Sequence, residues 1–180
     1  MEDSASLVDS RYAWLRLTAS VTLAVLGGVG VWSIIVIMPA VQAEFGSDRA
    51  GASLPYTFAM IGFVIGGVLM GRMVDRVGIV IPLLISTLAL SAGFILSAFA
   101  PTLIVFALIY GVLIGFFGSS ALFGPLVADV SFWFNRRRGI AIALCASGNY
   151  FAGTIWPPAV QYFAAIHGWR AAQIGIGIAC

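Results

Sequence analysis

Gly71-Arg72-Met73-Val74-Asp75-Arg76-Val77-Gly78 is a short charged break between two long apolar runs. Residues 50–71 carry no formal charge, and neither do residues 77–128. Two or three charges between such runs mark a membrane surface, because a charged side chain is costly in hydrocarbon. The rest of the chain repeats the pattern. Of 180 residues only nine are basic and seven acidic, hydrophobic residues make up 61%, and mean hydropathy is +1.06. A soluble globule carries about a quarter charged residues to cover its surface. That class is excluded, with disordered chains, coiled coils and disulfide-stapled secreted modules.

The uncharged runs are 17–43, 50–71, 77–128, 140–166 and 171–180. About 20 apolar residues cross a bilayer core at roughly 1.5 Å per residue. The run 77–128 holds two helices, with Ala100-Pro101-Thr102 as the turn between them, since Pro disfavours helix in the residue before it and suits a first turn. The chain is therefore predicted to be an all-α polytopic membrane protein. Its spans are 17–42, 53–73, 79–99, 102–128 and 139–166, with a partial sixth from 171 to 180, after a cytoplasmic tail of residues 1–16. Ser53 is the expected N-cap of the second span, with Pro55 in its first turn. Pro125 is expected to bend the fourth.

Arginine placement sets the orientation. Arg11, Arg16, Arg72, Arg76, Arg136, Arg137 and Arg138 fall on one side, against Arg49 and Arg170 on the other, so the N-terminus is predicted to be cytoplasmic. Arg136–Arg138 read as topology determinants of that cytoplasmic loop. Trp14, Trp133 and Trp169 fall at span ends, as interfacial anchors do. The first apolar run is too long for a signal peptide and follows an acidic start, Glu2 and Asp3. Cys145 and Cys180 suggest neither a disulfide nor a metal cluster.

The stretch 71–78 resembles the signature loop of the major facilitator superfamily, G-x-L-x-D-R-x-G-R-R, in the same place between the second and third helices. Gly71 would let another helix approach, Gly78 would allow a tight turn, and Asp75 would sit at a helix N-terminus or pair with arginine. Ile79 and Val80 stand where the family has its trailing basic pair. A second resemblance is narrower. Phe132-Trp133-Phe134-Asn135-Arg136-Arg137-Arg138-Gly139-Ile140-Ala141, followed by Gly148, Gly153 and Pro157-Pro158, is similar to the fourth-to-fifth helix region of the monocarboxylate transporter and oxalate/formate exchanger branch. The Asp-Gly opening of the eukaryotic signature in helix one is missing ahead of Gly27-Gly28, which favours a bacterial-type relative in the cell inner membrane. The resemblance implies an N-terminal six-helix bundle of two inverted three-helix repeats with its sixth helix truncated, and a C-terminal half beyond it. It also implies that Asp75, with Arg72 and Arg76 beside it, latches the two halves on the cytoplasmic side.

Polar and aromatic residues at mid-depth are the substrate-cavity candidates: Trp32, Tyr56, Ser119, Asn149 and Trp156. Asn149 and Trp156 are seven apart, on one helix face. Gly62-x3-Gly66 and Gly67-x3-Gly71 put small residues on a face for close packing in lipid, whether static or sliding. Pro157 and Pro158 remove two N–H groups from the fifth span and imply a kink after Gly153. No carboxylate or His lies at mid-membrane, so proton coupling and the substrate's charge partner are expected elsewhere. An enzyme is not expected. Ser147 and the single His, His167, lie roughly 30 Å apart along one helix, whereas proton transfer needs about 3 Å. No cofactor, metal or nucleic acid is implied. The partners are the lipid bilayer, a small solute and the missing C-terminal half. By resemblance the chain is part of a secondary transporter for a small organic anion, a mono- or dicarboxylate. The alternative is a non-transporting half-transporter subunit or scaffold that pairs with a second six-helix half.

Overall fold

A computed structural model describes residues 8–180, and every regular element among them is helical. Residues 1–7 of the expected tail, with Glu2 and Asp3, lie outside the described residues. Residues 11–16 are not tail but helix, because the Ser10 hydroxyl accepts from Ala13 N and starts α1 (Arg11–Gly27). α1 runs into α2 (Val29–Phe45) with a break at Gly28, giving one apolar stretch from Arg11 to Phe45.

α3 (Arg49–Val77) starts at Asp48, whose carboxylate accepts from Gly51 N at 2.7 Å. Ser53 is therefore not the cap. It lies inside the helix with its hydroxyl donating back to Ala50 O, and Pro55 falls in the second turn. α4 (Val80–Ala98) ends before Pro101, and Thr102 caps α5 (Leu103–Ile109). The fourth span then departs from regular helix. Tyr110–Ser119 is a π-helical segment, residues 120–123 form turns, and α6 (Gly124–Trp133) completes the crossing. The bend expected from Pro125 comes ahead of it, and Pro125 sits at the start of α6, where a missing N–H is no loss. α7 (Arg138–His167) stays helical through Pro157 and Pro158, and α8 (Trp169–Ala179) follows Gly168.

The stretches Arg11–Phe45, Arg49–Val77, Val80–Ala98 and Leu103–Trp133 are long and apolar enough to cross a membrane. α7 has the length, but Ser147, Asn149 and Tyr150 dilute its apolar run. Side chains such as Leu88 (70% exposed) and Val64 (67%) cover the outside with hydrocarbon, as a lipid-facing surface requires. The first span packs on the fifth, the second on the fourth, and the third on the sixth. Exchanging spans one to three with four to six turns the first pairing into the second and leaves the third unchanged. That exchange accords with two three-helix repeats, although the third span also packs on the fourth.

The spans are tied at both ends. At the arginine-rich end, Arg16 Nε and Nη2 donate to the Asp129 carboxylate at 2.8 and 2.9 Å, and the guanidinium lies 4.6 Å from the Trp133 ring centroid. Asp129 therefore pairs with the first span. Asp9 accepts from Arg136 N at 3.0 Å and fixes the loop before α7. At the opposite end, Glu44 accepts from Trp169 Nε1 and Arg170 Nε, while Arg170 also donates to the Ala98 and Ala100 carbonyls. This staples the ends of the first and third spans to the start of α8. Between the two ends, Gln173 donates to the buried Tyr110 hydroxyl, holding α8 against the fourth span.

Candidate functional site

Mid-bundle, residues of the first, second, fourth and fifth spans line an open cavity of about 110 Å³. Gly28 and Val31 face it from the first span, Phe63 from α3, Ser119 and Phe123 from the fourth span, and Asn149 from α7. It forms where two spans lose regular helix, at Gly28 and at residues 120–123. Discontinuous helices at mid-membrane expose backbone and let side chains leave the helix face. Ser119 is 4% exposed, yet its hydroxyl has no hydrogen-bond partner. The hydroxyl lies against the first span, where a Cβ on Gly30 would overlap it, and a buried hydroxyl left unpaired costs free energy.

Two of the five expected cavity residues, Ser119 and Asn149, are brought together here. The other three are outside the lining. Trp32 donates to Asn149 O at 3.0 Å and Trp156 donates to Val25 O at 2.7 Å. Val25 lies in the last turn of α1, where carbonyls lack helical partners, so the Trp156 indole caps that break. Both indoles bind the first span to the fifth. Tyr56 packs half-buried against the core. Asn149 and Trp156 share a helix face in sequence but serve different neighbours. A larger groove of about 450 Å³ runs between α7 and α8, past Trp156 and Phe163 to His167, and it holds neither Ser119 nor Asn149.

The glycines explain how close the walls stand. A Cβ on Gly28 would overlap the Ala152 methyl, and one on Gly148 would lie 3.0 Å from Val21 O. At Gly153 a Cβ would reach the Trp32 ring at 2.8 Å. Between the second and fourth spans the contact is backbone on backbone. Cβ atoms on Gly62 and Gly66 would strike the Gly111 and Phe116 carbonyls. Gly67 and Gly71, grouped with them in the sequence, meet nothing within 4 Å.

The expected signature loop is mostly helix. Gly71, Arg72, Asp75 and Arg76 occupy the last two turns of α3, and only Gly78 and Ile79 separate it from α4. Gly78 ends the helix at φ 80°, a conformation glycine adopts without a Cβ clash. Asp75 does not sit at a helix N-terminus. It is exposed in the last turn of α3, and no ion pair among the described residues includes it. A carboxylate there faces the negative end of the helix dipole. Arg136, Arg137 and Arg138 are exposed, with Arg138 donating to the Ser131 hydroxyl at 3.3 Å. Ser147 and His167 share the unbroken α7, which keeps them apart.

Phe63, Phe123 and the Arg16–Asp129 pair are not singled out by the sequence. The break that frees Phe123 does leave a trace, the small and turn-prone residues Gly118-Ser119-Ser120 ahead of Gly124-Pro125.

A profile of the Major Facilitator Superfamily matches residues 21–180. Monocarboxylate transporter 6 of Mus musculus is 28% identical over 171 residues, covering 94% of this chain and 36% of that protein. Monocarboxylate transporter 12 of Homo sapiens is 26% identical over 178 residues, covering 97% and 34%. Monocarboxylate transporter 11 of Homo sapiens is 38% identical over 87 residues, covering 48% and 18%. The chain thus spans about a third or less of the length of these relatives, which are mammalian.

Proposed function

This chain belongs to the Major Facilitator Superfamily, and on that premise we propose that it forms one half of a secondary transporter for a small organic anion. The solute is a mono- or dicarboxylate, moved by alternating access. The four-span cavity carries the reading. Such carriers bind their solute near mid-membrane, between repeats and beside broken helices, and the Asn149 amide offers hydrogen bonds there. No arginine lines the cavity, so the charge partner of the anion belongs to a second half. The names of the mammalian relatives support a monocarboxylate.

Asp75 is the latch. Its exposure and lack of an ion pair support a partner outside this bundle, and Gly71 keeps the adjoining helix face open. The arginine-rich end faces the cytoplasm on the seven-to-two distribution of arginines. The reading of a bacterial inner membrane rests on the missing Asp-Gly opening before Gly27-Gly28 alone.

Uptake of labelled carboxylates by the native transporter in liposomes tests the reading. Asp75→Asn is expected to slow uptake at least tenfold at normal membrane abundance, and an unchanged rate removes the latch. The 180-residue chain by itself is expected to give no uptake. Uptake by that chain alone would favour a half-transporter that pairs with a second copy.

A further inference from the structure

We infer that this half of the cavity receives an apolar, ring-sized part of the solute, and that Phe63 and Phe123 select for it. The inference rests on the transport reading above and narrows its substrate class to carboxylates with an aryl or comparably bulky apolar body.

Phe63 on α3 and Phe123 on the fourth span come from two closely packed helices, and both line the cavity. Their ring centroids are 6.2 Å apart and their planes are inclined by 42°. Both are half-buried, so each ring keeps a surface open to a third group. That spacing lies within the range in which aromatic rings attract one another, and an incoming ring would extend the pair. Phe123 reaches the cavity because it stands at the break before α6, with φ −127° and ψ −76°, off the regular helical path. Met60 lies on α3 close to Phe63, and Leu122 precedes Phe123. A thioether beside an aromatic pair adapts its shape to an apolar guest.

The lining contains no charged side chain. Its polar side chains, Ser119 and Asn149, are neutral. An acid with little or no apolar body, such as acetate or oxalate, would lay its charge against carbon here, and burying an unpaired carboxylate is strongly unfavourable. A solute with an apolar body instead sets that body against Phe63, Met60 and Phe123 and points its carboxylate out of this wall. Each buried methylene is worth about fourfold in affinity, so replacing a methyl by a benzyl group is expected to change affinity by at least tenfold.

Uptake of labelled phenylacetate, acetate and oxalate by the native transporter in liposomes tests this. The expected KM for phenylacetate is at least tenfold below that for acetate. Phe63→Ala and Phe123→Ala should each shrink that ratio at least threefold. If an alanine variant fails to reconstitute, Phe63→Leu carries the comparison, with a smaller loss of preference. Transport of acetate or oxalate with a KM equal to or below that of phenylacetate overturns the inference. So does an unchanged ratio in the reconstituted variants. Either result leaves the transport reading standing. Absence of uptake for all three acids overturns the carboxylate transport reading itself, and this inference with it.

Discussion

The pairing of the second span with the fourth and the pairing of the first with the fifth are related by the inverted repeat, yet they are built differently. In the first case backbone meets backbone, and glycines 62, 66, 111 and 115 leave no room for a side chain between α3 and the π-helical segment. In the second, Gly28, Gly148 and Gly153 bring the helices close, but the indoles of Trp32 and Trp156 reach across to carbonyls of the partner helix. One seam is held by dispersion alone, the other by dispersion and two directional bonds. A dry glycine seam resists sliding, because backbone atoms cannot change rotamer. The seam with hydrogen bonds lies at the Gly28 break and beside Asn149, where the cavity opens.

The largest expected effect is on the glycine seam. Gly62→Val would drive its side chain into the Gly111 carbonyl. Overpacking of this kind costs about 1–3 kcal/mol or more, so folded, monodisperse protein should fall sharply on size-exclusion chromatography. Gly67→Val, on the same helix but facing open space, should leave the yield of this bundle unchanged. Equal losses in the two variants would mean that helix propensity, not the seam, sets the cost. The other seam should respond more gently. Trp156→Phe keeps most of the ring and removes the bond to Val25 O, worth about 0.5–1.5 kcal/mol, so a thermal-unfolding midpoint should drop by a few degrees. No shift in the midpoint would reduce the indole to packing alone.

The spans were legible because the charges stand at their ends. That rule misled where a charge is paired. Arg16 was read as a boundary, but with Asp129 as its partner it lies inside the first helix. Nothing in the sequence couples two residues 113 positions apart. Asp75 was legible from its motif, and its helical setting was not, because α3 continues until Gly78 supplies a positive φ. Asn149 and Ser119 stand out as polar residues in apolar spans, and both line the four-span cavity. Phe63 and Phe123 do not stand out, since nothing distinguishes them among 13 phenylalanines until the break at residues 120–123 aims one toward the other. Trp156, a cavity candidate by depth, donates to the carbonyl at the end of α1 and lines the groove beside α8 rather than the four-span cavity. Tertiary demand of that kind is absent from spacing patterns.

The central claim is that the four-span cavity is where solute binds. It is tested most directly by thiol labelling at Asn149→Cys in the native transporter, with Cys145, Cys180 and any cysteine outside this chain replaced by serine. Labelling by a water-soluble maleimide, slowed at least threefold by a transported carboxylate, is the expected result. A cysteine at position 149 that labels at the same rate with and without saturating solute, in protein that still transports, would contradict it.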